Sequence, residues 1–190
     1  MTVTDGSVPP RLNPLLPDDR SEHIREMVDG VRLPDGTELN LVATFAHNPG
    51  LLRRWWPFAA KLLVGGKLSA RDRELVIMRT AWRCGCEYEW GQHLRGASQA
   101  GVTGEEVAQL SRTTVDDNAF SRFDRALVAA ADELHDDSEI SDATWAVLES
   151  QYDPAELIEL CVLVGQYHMV AYLLRSLRIQ REPGVGGFPE

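Results

Sequence analysis

Apolar residues recur along most of this chain with the three-to-four-residue period of an α-helix. The breaks in this pattern fall at glycines, prolines and helix-capping residues such as Ser69 and Thr103. No run of alternating apolar and polar residues is flanked by turn signals, which would predict a strand. The pattern predicts helices over residues 22–30, 39–46, 49–64, 69–84, 86–100, 104–110, 121–134, 141–151 and 154–177. Pro57, inside the third of these, is expected to kink or split it.

The two ends of the chain differ from its middle. Residues 1–20 hold four prolines and are expected to form a linker-like arm. Residues 182–190, with two prolines and three glycines, are expected to form a flexible tail. Residues 21–181 are then predicted to form a single all-α domain, a bundle of antiparallel helical hairpins, because short connections place successive helices side by side.

Composition and charge narrow the class of function. A net charge of −10 argues against nucleic-acid binding, because neutralising phosphates requires clustered Lys and Arg. No stretch approaches 18 consecutive apolar residues, and residues 1–20 lack the pattern of a signal peptide, so we expect no membrane span and no secretion. Three cysteines make a poor disulfide framework. The sequence therefore predicts a cytoplasmic protein that keeps at least one thiol for chemistry or packing.

Four ionisable side chains are predicted to meet on one helical hairpin. Cys86, Glu89 and His93 have the spacing i, i+3, i+7, which places them on one face of the helix that follows Gly85. Glu74 lies on the preceding helix, offset from His93 by roughly 5 Å along the axis, a gap that two side chains or one water can bridge. We therefore expect a chain of proton carriers running from Glu74 through His93 and Glu89 to Cys86.

This chain of groups contains the parts of a thiol site. A helix start lowers the pKa of a thiol, which would activate Cys86. His93 can carry a proton near neutral pH, and Glu74 can hold its imidazole in one tautomer. Glu89 can donate or accept a proton, although its negative charge opposes thiolate formation. The spacing fits equally well an ordinary solvated Glu89–His93 pair beside an inert, buried Cys86.

The same residues resemble a known family. The segments Arg73-Glu74-Leu75-Val76-Ile77 and Trp82-Arg83-Cys84-Gly85-Cys86-Glu87-Tyr88-Glu89-Trp90, followed by His93, look like the active-site region of the carboxymuconolactone decarboxylase and alkylhydroperoxidase D family. The similarity is strongest over residues 69–101, and the helical layout extends it to roughly residues 35–180. The resemblance implies an alkylhydroperoxidase D-like all-α fold, assembly into trimers or higher rings, and peroxiredoxin-type activity without a cofactor or metal.

This chain departs from the family pattern at one position. The peroxidase branch has a Glu, then Cys-x-x-Cys, then a His four residues on. Glu74, Cys86 and His93 match, but Glu89 stands at the second cysteine, so the usual vicinal disulfide cannot form. Cys84 could resolve an oxidised Cys86 if the intervening glycine is not helical, or could simply pack under the helix turn. A zinc site from Cys84, Cys86 and His93 is disfavoured because it lacks a fourth ligand.

Three functions follow from these features. The leading one is a thiol oxidoreductase for small peroxides or disulfides, in which Cys86 attacks, His93 with Glu74 moves the proton, and Cys84 or an external thiol reductant resolves the sulfenic acid. The second is a lyase or isomerase that acts on a small carboxylated lactone, favoured by the missing cysteine at position 89. The third is a non-catalytic ligand-binding or assembly protein. For all three we expect a homo-oligomer that buries tryptophans.

The other notable residues are expected to have structural roles. On the last predicted helix, Cys161 is expected in the core, and His168 is expected as a buried, hydrogen-bonded side chain, with a position facing the hairpin site as the alternative. His135 lies among acidic residues that could hold a cation, but it is expected at a solvated helix end. The tryptophans are expected in the core or at a subunit interface: Trp55, Trp56, Trp82 and Trp90.

Overall fold

The computed structural model describes residues 8–33, 35–116 and 118–189, and within them every regular element is a helix. A short 3-10 helix, Pro17–Asp19, precedes the α-helices. These are α1 (Glu22–Asp29), α2 (Asn40–Phe45), α3 (Pro49–Val64), α4 (Ala70–Arg83), α5 (Glu87–Gln99), α6 (Gly104–Leu110), α7 (Arg122–Asp136), α8 (Asp142–Leu148) and α9 (Pro154–Leu177). The predicted all-α fold is confirmed. Pro57 does not split α3, which continues through it.

Helix starts follow the sequence closely because side chains cap them. Ser69, Ser121 and Ser141 each accept a hydrogen bond from the backbone N–H three residues on, at 3.1, 3.0 and 3.3 Å. Thr103 and Glu106 form a reciprocal capping box at the start of α6. Such caps satisfy amide groups that the first helical turn leaves without partners.

The chain divides into two compact units. The first comprises Met1–Pro57 and Tyr172–Gly184, and the second comprises Phe58–Ala171 and Val185–Glu190. This division does not coincide with the predicted boundaries at residues 20 and 181, and the single-domain organisation stays a prediction. In the first unit, α1 and α2 pack with the start of α3 around Ile24, Val28, Val42, Ala46 and Leu52.

The predicted flexible tail is held in place at one aromatic residue. In the second unit, the ring of Phe188 packs against Trp82 and Trp90 with ring centroids 4.8 and 5.4 Å apart. Glu182, at the other end of the same segment, is buried and accepts a hydrogen bond from the backbone N–H of Asn40 within the first unit. Contrary to expectation, the segment is therefore packed rather than free.

The α4–α5 hairpin is the frame on which the candidate residues are mounted. Gly85 has φ of 61°, and its N–H donates to the carbonyl of Trp82 at 2.9 Å. The N–H of Cys86 donates to the carbonyl of Ala81 at 2.8 Å, and Cys86 then precedes the first residue of α5. This pair of bonds is a Schellman closure, whose left-handed position strongly favours glycine because it has no Cβ.

The last helix, α9, is long and apolar enough to cross a membrane by length and composition alone, although no such span was expected from the sequence. Half of its most apolar window is buried within the protein. Leu160, Leu163, Val164 and Tyr167 belong to the core of the second unit. The packing of α9 is that of a core helix. A core helix can have the same length and apolar composition as a membrane-spanning helix.

A buried arginine links three segments of the second unit. Arg79, on α4, is 1% exposed and donates to both carboxylate oxygens of Asp132 at 2.6 and 2.8 Å. It also donates to the carbonyls of Leu110 and Arg112 at 3.0 and 2.7 Å. A buried charge is tolerated only when it is matched in this way, so its removal leaves several groups without partners.

We predict that Arg79→Met lowers the free energy of unfolding by about 3 kcal/mol, the cost of leaving one partner of a buried ion pair uncompensated. Urea unfolding monitored by circular dichroism measures this loss. The matched control is Arg32→Met, because Arg32 makes its ion pairs, with Asp29 and Glu38, at the surface. A loss at Arg79 no larger than that at Arg32 would contradict the assigned role.

Candidate functional site

Three side chains of the second unit form a hydrogen-bonded proton relay. His93, on α5, donates from Nδ1 to Oε2 of Glu74 on α4 at 2.8 Å. Because a carboxylate only accepts, this contact fixes the tautomer of a neutral His93 and leaves a lone pair on Nε2. The hydroxyl of Tyr167, on α9, lies 3.0 Å from that Nε2 and donates to it. The predicted Glu74–His93 contact is thus present, with a tyrosine added at its far end.

A close approach between α4 and α5 makes room for this contact. Gly96 lies opposite Glu74, and a Cβ at position 96 would lie 3.3 Å from three atoms of the carboxylate group. Any larger residue would push Glu74 away from His93. Arg73 adds a positive charge, with Nε 3.5 Å from Oε1 of Glu74. This guanidinium nitrogen is buried and has no hydrogen-bond partner within the described residues.

Beside the relay lies a second arrangement, the thiol–carboxyl pair of Cys86 and Glu89. Cys86 is 1% exposed and Glu89 is 3% exposed. Within the described residues, neither carboxyl oxygen of Glu89 has a partner at hydrogen-bonding distance and angle. Burial raises the pKa of Glu89 well above its ordinary value, and the nearby Cys86 thiol offsets this only in part. Burial therefore favours the protonated, neutral form of Glu89.

The Cys86 thiol is also held neutral. Burial is the largest cause of its raised pKa, and the charge that Glu89 would carry is the next. The expectation that the start of α5 would lower this pKa is wrong, because the loss of hydration outweighs a helix-end effect that is worth about 1 kcal/mol or less at typical sites. Any reaction at Cys86 thus needs a base that takes the thiol proton.

Tyr167 is the site residue that the sequence did not indicate. Burial raises its pKa well above the ordinary value, and the charges that Glu89 and Glu74 carry when ionised raise it further. It therefore lies near both carboxyl groups, and it is hydrogen-bonded to His93. The available signal was a hydroxyl placed in the apolar stripe of α9 that includes Leu160, Leu163 and Val164.

Cys84 points away from this site. Its sulfur lies 3.9 Å from Nδ1 of His135 on α7. The three cysteines are free thiols, so the Cys84–Cys86 disulfide stays a prediction. The non-helical φ of Gly85 that such a bond requires is present.

Two expectations about other residues are wrong. Cys161 is exposed rather than buried, because it lies on the outer side of α9. His135 does not end in solvent but faces His168, whose Nε2 is 2.8 Å from its own Nδ1. His168 is hydrogen-bonded, as expected, through Nδ1 to the carbonyl of Val164 at 2.9 Å. Trp90 is fully buried in the core.

Residues 49–133 match the model of the carboxymuconolactone decarboxylase family. This segment belongs to the carboxymuconolactone decarboxylase family. It contains Glu74, Cys86, Glu89 and His93, so the family resemblance of the sequence is confirmed, whereas Tyr167 lies beyond it. The comparison with curated proteins finds no significant match.

Solved structures share the fold at low sequence identity. An alkylhydroperoxidase AhpD core, an uncharacterized peroxidase-related protein from Ralstonia eutropha JMP134, is 17% identical with a TM-score of 0.80 over 93% of this chain and 95% of that one. An uncharacterized peroxidase-related protein from Silicibacter sp. TM1040 is 17% identical with a TM-score of 0.80 over 99% and 100%. The debrominase Bmp8 is 16% identical with a TM-score of 0.74 over 90% and 92%. These likenesses establish an AhpD-like fold.

The raised pKa of Glu89 makes stability depend on pH. From about 4.3, the ordinary pKa of glutamate, up to the raised pKa, the native state holds a proton that the unfolded state has lost. The free energy of unfolding therefore falls as pH rises through this window, by up to about 1.4 kcal/mol per pH unit from this group. We predict that Glu89→Gln removes this fall and is more stable than the parent at neutral pH.

Urea unfolding from about pH 4.5 to about pH 8 tests this prediction. The control is Glu105→Gln, at an exposed glutamate on α6, which should follow the parent profile. If the Glu89→Gln profile also runs parallel to that of the parent, the carboxyl of Glu89 is not held neutral by burial.

Proposed function

We propose that this carboxymuconolactone decarboxylase-family chain is a thiol-dependent oxidoreductase that reduces small peroxides or disulfides at Cys86. One observation carries the proposal: a buried thiol lies beside a buried carboxyl group whose protonated form burial favours and whose two oxygens have no hydrogen-bond partner within the described residues. A carboxylic acid in that state can give a proton from one oxygen while it takes a proton at the other. Cys86 can therefore react without first becoming a free thiolate.

The peroxide step follows from this pair. The sulfur of Cys86 attacks one peroxide oxygen, and the O–O bond breaks. Glu89 donates its proton to the leaving oxygen and accepts the thiol proton, so it is unchanged at the end. The products are a sulfenic acid on Cys86 and an alcohol, or water when the substrate is hydrogen peroxide. Removing a donor–acceptor of this kind typically costs a factor of about 10² to 10⁴ in rate.

The relay serves the return step. A thiol attacks the sulfenic sulfur, water leaves, and a second thiol then releases Cys86 with formation of a disulfide. His93, oriented by Glu74, takes the proton of the incoming thiol and returns it to the leaving oxygen. An external thiol reductant is favoured for this step, because the sulfur of Cys84 is directed at His135.

A lyase or isomerase reaction on a small carboxylated lactone is the second candidate. The observation that favours it is Arg73, whose buried Nε has no hydrogen-bond partner within the described part of the chain and could bind a substrate carboxylate. His93 would then act as base and Glu89 as acid, without redox change. A purely ligand-binding role is disfavoured by the raised pKa of both Glu89 and Tyr167, which is typical of reactive sites.

The cellular compartment and the oligomeric state belong to the same proposal. We expect a cytoplasmic homo-oligomer, a trimer or a multiple of one, since a reducing compartment keeps all three thiols free. Large apolar side chains that remain exposed on the chain, including Trp145 on α8 and Ile158 on α9, are candidates for burial between copies.

The test uses a Cys161→Ser background, because the exposed Cys161 would otherwise consume oxidant. With stoichiometric hydrogen peroxide, we predict loss of one thiol and a trapped sulfenic adduct on Cys86, identified by peptide mapping. Cys86→Ser should abolish this oxidation, and Glu89→Gln should slow it at least about 100-fold, because an amide cannot exchange its proton. His93→Gln should slow recovery of the thiol after addition of dithiothreitol.

Both remaining thiols unchanged after excess peroxide would overturn the oxidoreductase proposal and leave the lyase. Oxidation of Cys86 at an equal rate in the Glu89→Gln variant would reject the proton-exchange role of Glu89 while leaving thiol chemistry in place.

A further inference from the structure

Away from the relay and the thiol–carboxyl pair, three ligand-type side chains of the second unit converge. Cys84 ends α4, His135 lies in the last turn of α7, and His168 lies in α9. One potential ligand atom from each, the thiol sulfur and two imidazole nitrogens, lies within 4.8 Å of both others. We refer to these residues as the cysteine–histidine cluster. No step of the proposed reaction uses either histidine.

The tautomer of His168 suits it to bind a metal. Its Nδ1 lies 2.9 Å from the carbonyl of Val164, which can only accept, so Nδ1 carries the proton. The lone pair on Nε2 is then directed at Nδ1 of His135, 2.8 Å away. A backbone carbonyl that holds the second nitrogen in this way is the usual outer partner of a metal-bound histidine.

The spacing is close to that of a tetrahedral site. Zinc bonds of about 2.0–2.1 Å to nitrogen and 2.3 Å to sulfur separate two nitrogens by roughly 3.4 Å, and sulfur from nitrogen by roughly 3.6 Å. In the cluster, sulfur and Nδ1 of His135 are 3.9 Å apart, and the two nitrogens are 2.8 Å apart. Shifts of roughly half an ångström would bring these two pairs into place, and the third pair, the sulfur and Nε2 of His168, lies within 4.8 Å and needs to close by about 1.2 Å or less.

We propose that Cys84, His135 and His168 bind a divalent transition metal of the zinc class, with a fourth position left to water or a small ligand. Binding removes the thiol proton of Cys84, and the proton on Nδ1 of His135 moves to its Nε2. Two imidazoles and one thiolate form a donor set that suits zinc better than magnesium or calcium.

The charges around the cluster permit a cation. Arg83 lies close enough to lower the pKa of His135, and it is paired with Asp132 at 3.6 Å and with Asp136. Both carboxylates also face His135. The negative charge of the Cys84 thiolate then compensates part of the charge of the ion. The site ties together the end of α4, the end of α7 and the middle of α9, so its occupancy should also raise the thermal stability of the chain.

Zinc and cobalt titrations of untagged, chelator-treated protein test the proposal. We expect about one equivalent of zinc to bind in competition with a chromophoric chelator, and cobalt to give a thiolate-to-metal charge-transfer band. Cys84→Ser should abolish that band, and His168→Asn should weaken zinc binding more than about tenfold, since even outer partners of metal ligands contribute that much. Cys86→Ser and His93→Gln should bind metal as the parent does.

A second measurement needs no variant. Zinc should slow the alkylation of Cys84 in the unaltered protein at least about tenfold and leave Cys161 as an unchanged internal reference. Equal labelling of Cys84 with and without zinc, or full zinc binding in a folded Cys84→Ser or His168→Asn variant, would overturn the site. Loss of binding in Cys86→Ser would move the metal to the set considered from the sequence. The outcome does not depend on whether Cys86 reduces peroxides.

Discussion

The left-handed backbone of Gly85 sets the direction of the two neighbouring cysteines. With φ of 61°, Gly85 closes α4 through its own N–H and that of Cys86. Cys84 caps the end of α4 with its sulfur toward His135, whereas Cys86 precedes α5 and lies beside Glu89. A sequence of two cysteines and one glycine thereby supplies one thiol to each of two separate groups of ionisable side chains. An alanine at position 85 would have to adopt a strained φ, and the positions of both cysteine side chains would be disturbed together.

The relay and the thiol–carboxyl pair differ in how well their buried polar atoms are hydrogen-bonded. The relay is fully matched, since His93 has a partner at each ring nitrogen. The thiol–carboxyl pair is not matched, because Glu89 has two oxygens without hydrogen-bond partners in the described structure. Leaving a buried polar group in this state costs about 1–3 kcal/mol, which the well-packed α4 and α9 around it can support. A site that is stable in spite of such a cost has free acceptor capacity for a substrate.

Helices and local spacing were predictable, whereas contacts between distant segments were not. Caps such as Ser69 and Ser141 mark helix starts in the sequence, and the i, i+3, i+7 spacing was enough to join Cys86, Glu89 and His93. Glu74 could be added because a short connection implies an antiparallel neighbour. Tyr167 could not, because its position depends on how α9 packs against the hairpin, 74 residues from His93 along the chain. The exposure of Cys161 was missed for the same reason, since an apolar helix does not reveal which side faces outward.

A raised thiol pKa does not by itself argue against thiol chemistry at Cys86. Burial raises the pKa of both Cys86 and Glu89. It therefore makes the loss of a proton to water less favourable for each group, but has less effect on the transfer of a proton from one group to the other. In the proposed peroxide step the proton never has to reach solvent, because Glu89 gives one proton and receives one in the same step. Because the site is buried, it disfavours a permanent thiolate, which oxidants in the solvent would attack. Under the proposed function, Glu89, which stands at the second cysteine of the family pattern, promotes attack by Cys86, and a thiol from outside resolves the oxidised sulfur.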